Sequence, residues 1–115
     1  MLRRQQGHRV WEDSAGLLRT VSHPVRLCVL DVLRAGPKSV ADINAVVDVV
    51  QPNLSQHLAV LREAGLVASH ADGPRRLYYL LQPSFVEDLL GLLVQEHPSQ
   101  QLARSEVVAA VNGAA

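Results

Sequence analysis

Residues 51–65, QPNLSQHLAVLREAG, constrain the chain more than any other stretch. Leu54, Leu58 and Leu61 recur at i, i+4 and i+7, the spacing of one helical face. A helix over 51–64 turns that ridge inward. Pro52, Gln56, Ala59 and Glu63 fall on the opposite face, with Asn53 and Ser55 at its flanks. Pro52 suits a first helical turn, where its missing N–H costs nothing. Gly65 stands where a helix commonly ends in left-handed geometry. The outer face is therefore narrow and amide-bearing near its start. Asn and Gln can each pair with a base edge, adenine above all, through two hydrogen bonds. Small neighbours such as Ser55 and Ala59 let a helix sit deep in a major groove. Taken alone, the same pattern also describes an ordinary amphipathic surface helix.

The neighbouring segments decide between these readings. Residues 1–10, MLRRQQGHRV, read as a flexible basic arm. Trp11, Leu17, Leu18 and Val21 have helical spacing and define a first helix over 11–21. Ser22-His23-Pro24 punctuates the chain, and a second helix runs from Pro24 to Ala35 with Leu27, Leu30 and Leu33 as its stripe. Gly36-Pro37 ends it. Ser39-Val40-Ala41-Asp42 has the form of a capping box opening a third helix over 39–47. Val40, Ile43, Val46 and Val47 face inward in that reading. Asp48 lies in the turn before residue 51, a place where Asp tolerates left-handed geometry. Two short helices so closely joined, the second with a polar outer face, describe a helix-turn-helix.

After Gly65 the period changes. Residues 66–70 read as a strand, 71–75 as a turn around Asp72-Gly73-Pro74, and 76–81 as the partner strand. A hairpin directly after the reading helix is a wing, with Arg75 and Arg76 near its tip to grip phosphate or the minor groove. The simpler account of two adjacent arginines is a solvated loop. Pro83 starts a last helix that runs to about His97. Phe85, Val86, Leu89, Leu90, Leu92, Leu93 and Val94 are too many apolar residues for one buried stripe, and the first helix shows the same excess. A homodimer packed through these two helices accounts for both. Residues 98–115 are Ala-, Ser- and Gln-rich and read as a tail, disordered or weakly helical. The expected architecture is mostly α with a small β-hairpin, in the order α-α-α-α-β-β-α, over residues 11–97.

The totals agree with one small domain. The chain has 115 residues, 48% of them hydrophobic, and only 3% aromatic, so its core is built from Leu and Val. Formal net charge is zero, which argues against attachment to nucleic acid by bulk charge alone. One cysteine, Cys28, makes no intramolecular disulfide and removes a disulfide-stapled secreted module from consideration. No apolar run spans a bilayer and no signal-peptide pattern precedes the domain, so a cytoplasmic location is the expectation. An enzyme is not indicated: there is no Gly-rich phosphate loop, no Ser–His–acid order and no supported pair of carboxylates.

This order of elements, with its motifs, resembles the ArsR/SmtB family of bacterial winged-helix repressors. The resemblance covers about residues 14–95. It is carried by Leu17-Leu18, by Ser22-His23-Pro24-Val25-Arg26-Leu27, by Gln51 to Leu58, by Leu61 to Val67 and by Arg75 to Tyr79. It implies a dimeric repressor whose reading helices enter successive major grooves of a near-palindromic operator in double-stranded DNA, released by an inducer. Matched by position, Gln51, Pro52, Asn53, Ser55 and Gln56 form the base-reading end, and Arg75 and Arg76 are the wing's basic residues. His57 belongs either to the DNA side or to the packing side. Three positions depart from the family pattern. Val50 stands where a capping Ser is common, Asp48 where the turn often has Gly, and Pro74 interrupts the wing. A winged-helix dimer that binds a protein partner without specific DNA contact is the alternative.

The inducer is not legible. The Cys-x-Cys pair of metal-sensing relatives is replaced by Ser39 and Ala41. Glu87, Asp88, Glu96 and His97 supply oxygen and nitrogen ligands on the last helix, but not at the family's spacing, and such residues also make a solvated face. Cys28 is either a thiol sensor or a small packing residue. No cofactor is predicted: an organic inducer, a cofactor such as haem or no inducer at all stay open, and His8, His23, His57, His70 and His97 show no motif that selects among them.

Overall fold

The computed structural model describes residues 2–95, with side chains from Gly7 onward, and also Ala109, Asn112 and Gly113. Helix α1 spans Leu2–Val21, α2 Pro24–Leu33, α3 Val40–Val46, α4 Gln51–Glu63 and α5 Pro83–Leu93. Strands are β1 Lys38–Ser39, β2 Val67–Asp72 and β3 Arg75–Leu80. The tail expected at 98–115 lies outside the described residues apart from those three positions.

The core is aliphatic, as the composition requires. Val29, Leu30, Ile43, Leu54, Leu58, Leu61, Leu66, Val67 and Val86 have no exposed surface. The leucine ridge of α4 is thus its centre, packed against α1, α2, α3 and β2, while α5 joins the cluster through α2. Leu27, expected on the stripe of α2, is only half-buried and packs at the edge of this cluster. Ile43 in α3 and Val47 at its C-cap take the inward positions, and Val46 is 63% exposed rather than inward. Val47 has already left the helix, with extended backbone at φ −104° and ψ 117°, and its side chain rather than that of Val46 turns into the core.

Each element end has an identifiable cause. Nδ1 of His23 accepts from the Val25 N–H and caps α2 at 3.1 Å, followed by Pro24 at the first helical position. Ser39 and Asp42 form the expected capping box on α3, with Ser39 Oγ accepting from the Asp42 N–H at 3.1 Å. Gly65, at φ 76°, closes α4. The Leu66 N–H donates to the Leu61 carbonyl and the Gly65 N–H to that of Arg62, the paired bonds of a Schellman stop.

Five further differences from the sequence reading stand out. Residues 2–10, expected as an arm, continue α1 as helix, because Arg3, Arg4, Gln5 and Gln6 are good helix formers with only Gly7 as a breaker. The sheet has three strands in the order β1-β3-β2, since Lys38 and Ser39 pair with Tyr78 and Leu77. A two-residue strand carries no period for a sequence pattern to reveal. The wing is longer and tighter than expected: Asp72 pairs directly with Arg75, leaving Gly73-Pro74 as the loop. Gly73 takes φ 60° there, the first-position glycine of a II′-type hairpin, and Pro74 then needs no donor. Finally, Asp48 takes no left-handed conformation, and α5 closes at Leu93 with Val94 as its C-cap, short of 97.

Candidate nucleic-acid interface

The helix-turn-helix is α3, the turn 47–50 and α4. Asn44 fixes the turn: its side-chain amide donates to the Val49 carbonyl at 2.7 Å and reaches the Val47 carbonyl at 3.5 Å. The chain thus enters α4 at one angle without a glycine. Val50 occupies the N-cap with no side-chain bond to the helix, and it is 63% exposed. The Asn53 and Leu54 N–H groups turn back to the Val50 carbonyl, and Pro52 has no N–H to satisfy.

Beyond that cap, Gln51, Pro52, Asn53, Ser55 and Gln56 are all exposed, while Leu54 and Leu58 between and behind them are fully buried. The burial of the ridge fixes the rotation of α4, so these polar side chains project outward together. Two side-chain amides, a third at Asn53 and a small hydroxyl can present donors and acceptors to base edges. His57 falls on the other flank. It is half-buried, its Nδ1 accepts from Arg26 Nε at 3.2 Å, and its ring lies 4.3 Å from that of His23. Of the candidate DNA-contact residues, His57 alone is half-buried and lies on the packing side, against Arg26 and His23. Burial, with the His23 and Arg26 charges beside it, holds its pKa below the ordinary 6.5.

The wing arginines are exposed and individually anchored. Arg75 donates to Asp72 across the hairpin tip at 3.1 Å, and Arg76 donates to Ser69 Oγ at 3.0 Å. They begin β3 rather than lying in a loop, so they alternate to opposite faces of the wing. Asp72, which the sequence does not mark as a partner, offsets part of the positive charge at the tip.

Of the sequence-derived sensing candidates, Glu87, Asp88 and Cys28 fall within the described residues. Glu87 accepts from Arg34 Nη1 at 3.2 Å, and Asp88 is exposed beside it in α5. Glu96 and His97 lie outside the described residues. Among the described residues no group of three His, Cys, Asp or Glu side chains gathers closely enough to hold a metal ion. Cys28 is exposed on α2, at the rim of a groove that also includes Leu27, Asp31, Arg34, Leu90 and Val94, and so is not a core packing residue. No helix among the described residues is long and apolar enough to cross a membrane.

Comparison with known proteins places these features in context. Residues 23–69 match the sequence model described as bacterial regulatory protein, arsR family. The chain is 42% identical to the biofilm growth-associated repressor of Agrobacterium fabrum over 70 residues, 61% of this chain and 60% of that protein. It is 37% identical to the protein of the same name from Xylella fastidiosa over 81 residues, 70% of each. Reduced HlyU from Vibrio cholerae superposes with a TM-score of 0.70 at 29% identity, over 79% of this chain and 99% of that one.

Proposed function

The chain belongs to the ArsR family of bacterial regulatory proteins, and from that premise we propose that it is a dimeric transcriptional repressor that reads a near-palindromic operator with α4. One observation carries the reading. Gln51, Asn53, Ser55 and Gln56 stand exposed on a helix whose opposite side is the fully buried ridge Leu54, Leu58 and Leu61. In a helix-turn-helix, the first turns of the second helix meet the base edges. Arg75 and Arg76 flank that face from the wing and supply sequence-independent phosphate contact. The chain spans 60% of the length of the Agrobacterium protein, whose name is that of a repressor. Its relatives are regulators rather than enzymes.

The dimer follows from surface left uncovered. Trp11 is 72% exposed and Val94 83%, and Val10, Leu18, Leu92 and Leu93 are exposed with them. Leu18, Val21, Leu27, Leu89 and Leu93 line an apolar groove between α1, α2 and α5. Apolar surface of this extent on a small domain marks an interaction site. A second copy contributes the same helices and covers both patches by two-fold symmetry. Residues 11–97 form the domain that binds DNA and dimerises. The partner-module alternative is not favoured, because the relatives are named as repressors and the reading face is exposed.

The test is binding to the duplex upstream of the protein's own coding region, against random duplex, across a salt series. The repressor reading expects preference for the upstream fragment and a steep fall of log affinity with log salt. Equal affinity for both duplexes overturns it. Sedimentation equilibrium is expected to give two subunits, and a monomer at micromolar concentration removes the paired-site part.

A further inference from the structure

Arg26 joins three elements at one guanidinium. Its Nη1 donates to the Thr20 carbonyl in the last turn of α1 at 3.0 Å. Its Nε donates to Nδ1 of His57 in the second turn of α4 at 3.2 Å. Arg26 itself belongs to the first turn of α2, whose cap is His23. His57 follows Gln56 directly, so this junction lies behind the base-reading end of α4 and links it to a helix with an uncovered apolar face.

We propose that the Arg26–His57 pair is an acid-labile latch that sets the position of α4 against α1 and α2, and that opening it lowers discrimination between operator and random DNA. The chemistry is direct. Arg26 is always a donor, so His57 can accept only through an unprotonated Nδ1, with its ring proton on Nε2. A second proton placed on Nδ1 sets two N–H groups and two cations face to face. Arg26 keeps its bond to Thr20, and α4 alone is released. The charged or titratable groups that bear on His57 are Arg26 and His23, both from the start of α2; α1 brings the neutral Thr20 carbonyl to the junction. His23 Nδ1 accepts from the Val25 N–H and caps α2, which sets its ring beside that of His57. The lowered pKa of His57 agrees with a ring held neutral by these surroundings. Arg26 and His57 are positioning residues in this account, since neither needs to touch DNA.

Two measurements test it, and only the first rests on the proposed operator binding. The first is the ratio of affinities for a duplex selected from a random pool and for an unselected duplex, at pH 8 and at pH 5.5. The ratio is expected to fall about tenfold for the unmodified protein, the size of one positioning bond to a charged group. The variant His57→Gln keeps an acceptor for Arg26 without titrating, and its ratio is expected to change less than threefold. His23→Asn keeps the cap and is expected to show the full fall. His8, His70 and His97 remain in every variant, so a fall in His57→Gln equal to that of the unmodified protein assigns the effect to them and overturns the latch. The second measurement follows backbone amides by NMR in the DNA-free protein from pH 8 to 5. Amides of α4 are expected to shift together with the His57 ring, and not in His57→Gln, while those of Thr20 to Ser22 keep their positions. A His57 titration that leaves α4 unmoved overturns the latch even where DNA is bound. Failure of any pool duplex to enrich removes the operator reading, and the NMR result then decides the latch alone.

Discussion

The side-chain amide of Asn44 donates to the Val49 carbonyl at 2.7 Å, which ties the last turn of α3 to the entrance of α4. In a turn with no glycine, this bond replaces a special backbone conformation. It satisfies a carbonyl that the helices leave without a partner. Asn44→Ala is therefore expected to lower stability by about 1 kcal/mol, the net worth of one such bond, seen as a lower urea midpoint with unchanged slope. Discrimination between operator and random duplex is expected to fall as well, since the entry angle of α4 is no longer fixed. Full stability in this variant would show that the turn is held by packing of Val47 and Val49 alone.

The cap of α4 makes a second case. Val50 gives α4 no side-chain bond, whereas Ser39 gives α3 a complete capping box. Val50→Ser places an acceptor over the first N–H groups of α4, at a position already extended, with φ −66° and ψ 143°. A gain of about 1 kcal/mol is expected, read as a rise in Tm. Because Val50 is exposed, the substitution sacrifices no core packing that would offset the gain. An unchanged Tm would mean that Pro52 and the Val50 carbonyl already leave nothing for a cap to satisfy.

At the wing, the charge of Arg75 is shared with Asp72, and both side chains are more than half exposed. Such a pair adds little to folding. Its consequence lies in binding. Arg75→Ala with Arg76→Ala is expected to weaken affinity for all duplexes alike and to flatten the salt dependence, by roughly one counterion for each phosphate that the wing no longer neutralises. Asp72→Asn frees Arg75 and is expected to strengthen binding to random duplex. Loss of preference at a single base pair, rather than a uniform effect, would place these arginines on base edges instead of phosphates.

The sequence and the structure agree most closely where periodicity is strong. Leu54, Leu58 and Leu61 form a ridge at helical spacing, and all three are fully buried. The capping box at Ser39 and Asp42 and the stop at Gly65 are local chemistry within a few residues, and both are legible. What escapes is the meeting of distant positions. Arg26 and His57 are thirty-one residues apart, and Arg34 and Glu87 fifty-three. Nothing in either local pattern marks its partner. The sequence does not decide on which side of α4 His57 falls, because the flank of a helix becomes inside or outside only when a neighbouring element packs there. The length of α1 escapes for the opposite reason. A polar segment without apolar spacing gives no signal that distinguishes helix from arm.

The reading face itself is tested most directly at Gln56. Its side chain is exposed, and no hydrogen bond among the described residues engages it. Alanine has the highest helix propensity, so Gln56→Ala leaves α4 intact or slightly firmer. Tm and subunit count are expected to stay at their original values. A bidentate amide–adenine pairing is worth about 1–3 kcal/mol of discrimination, so preference for the selected duplex is expected to fall by roughly ten- to a hundredfold. Affinity for random duplex is expected to hold, because the phosphate contacts remain. Repeating the selection with the variant locates the base pair: the position read by Gln56 loses its bias while its neighbours keep theirs. An unchanged selected sequence would mean that α4 presents a different flank to the groove, centred on Asn53 rather than on Gln56.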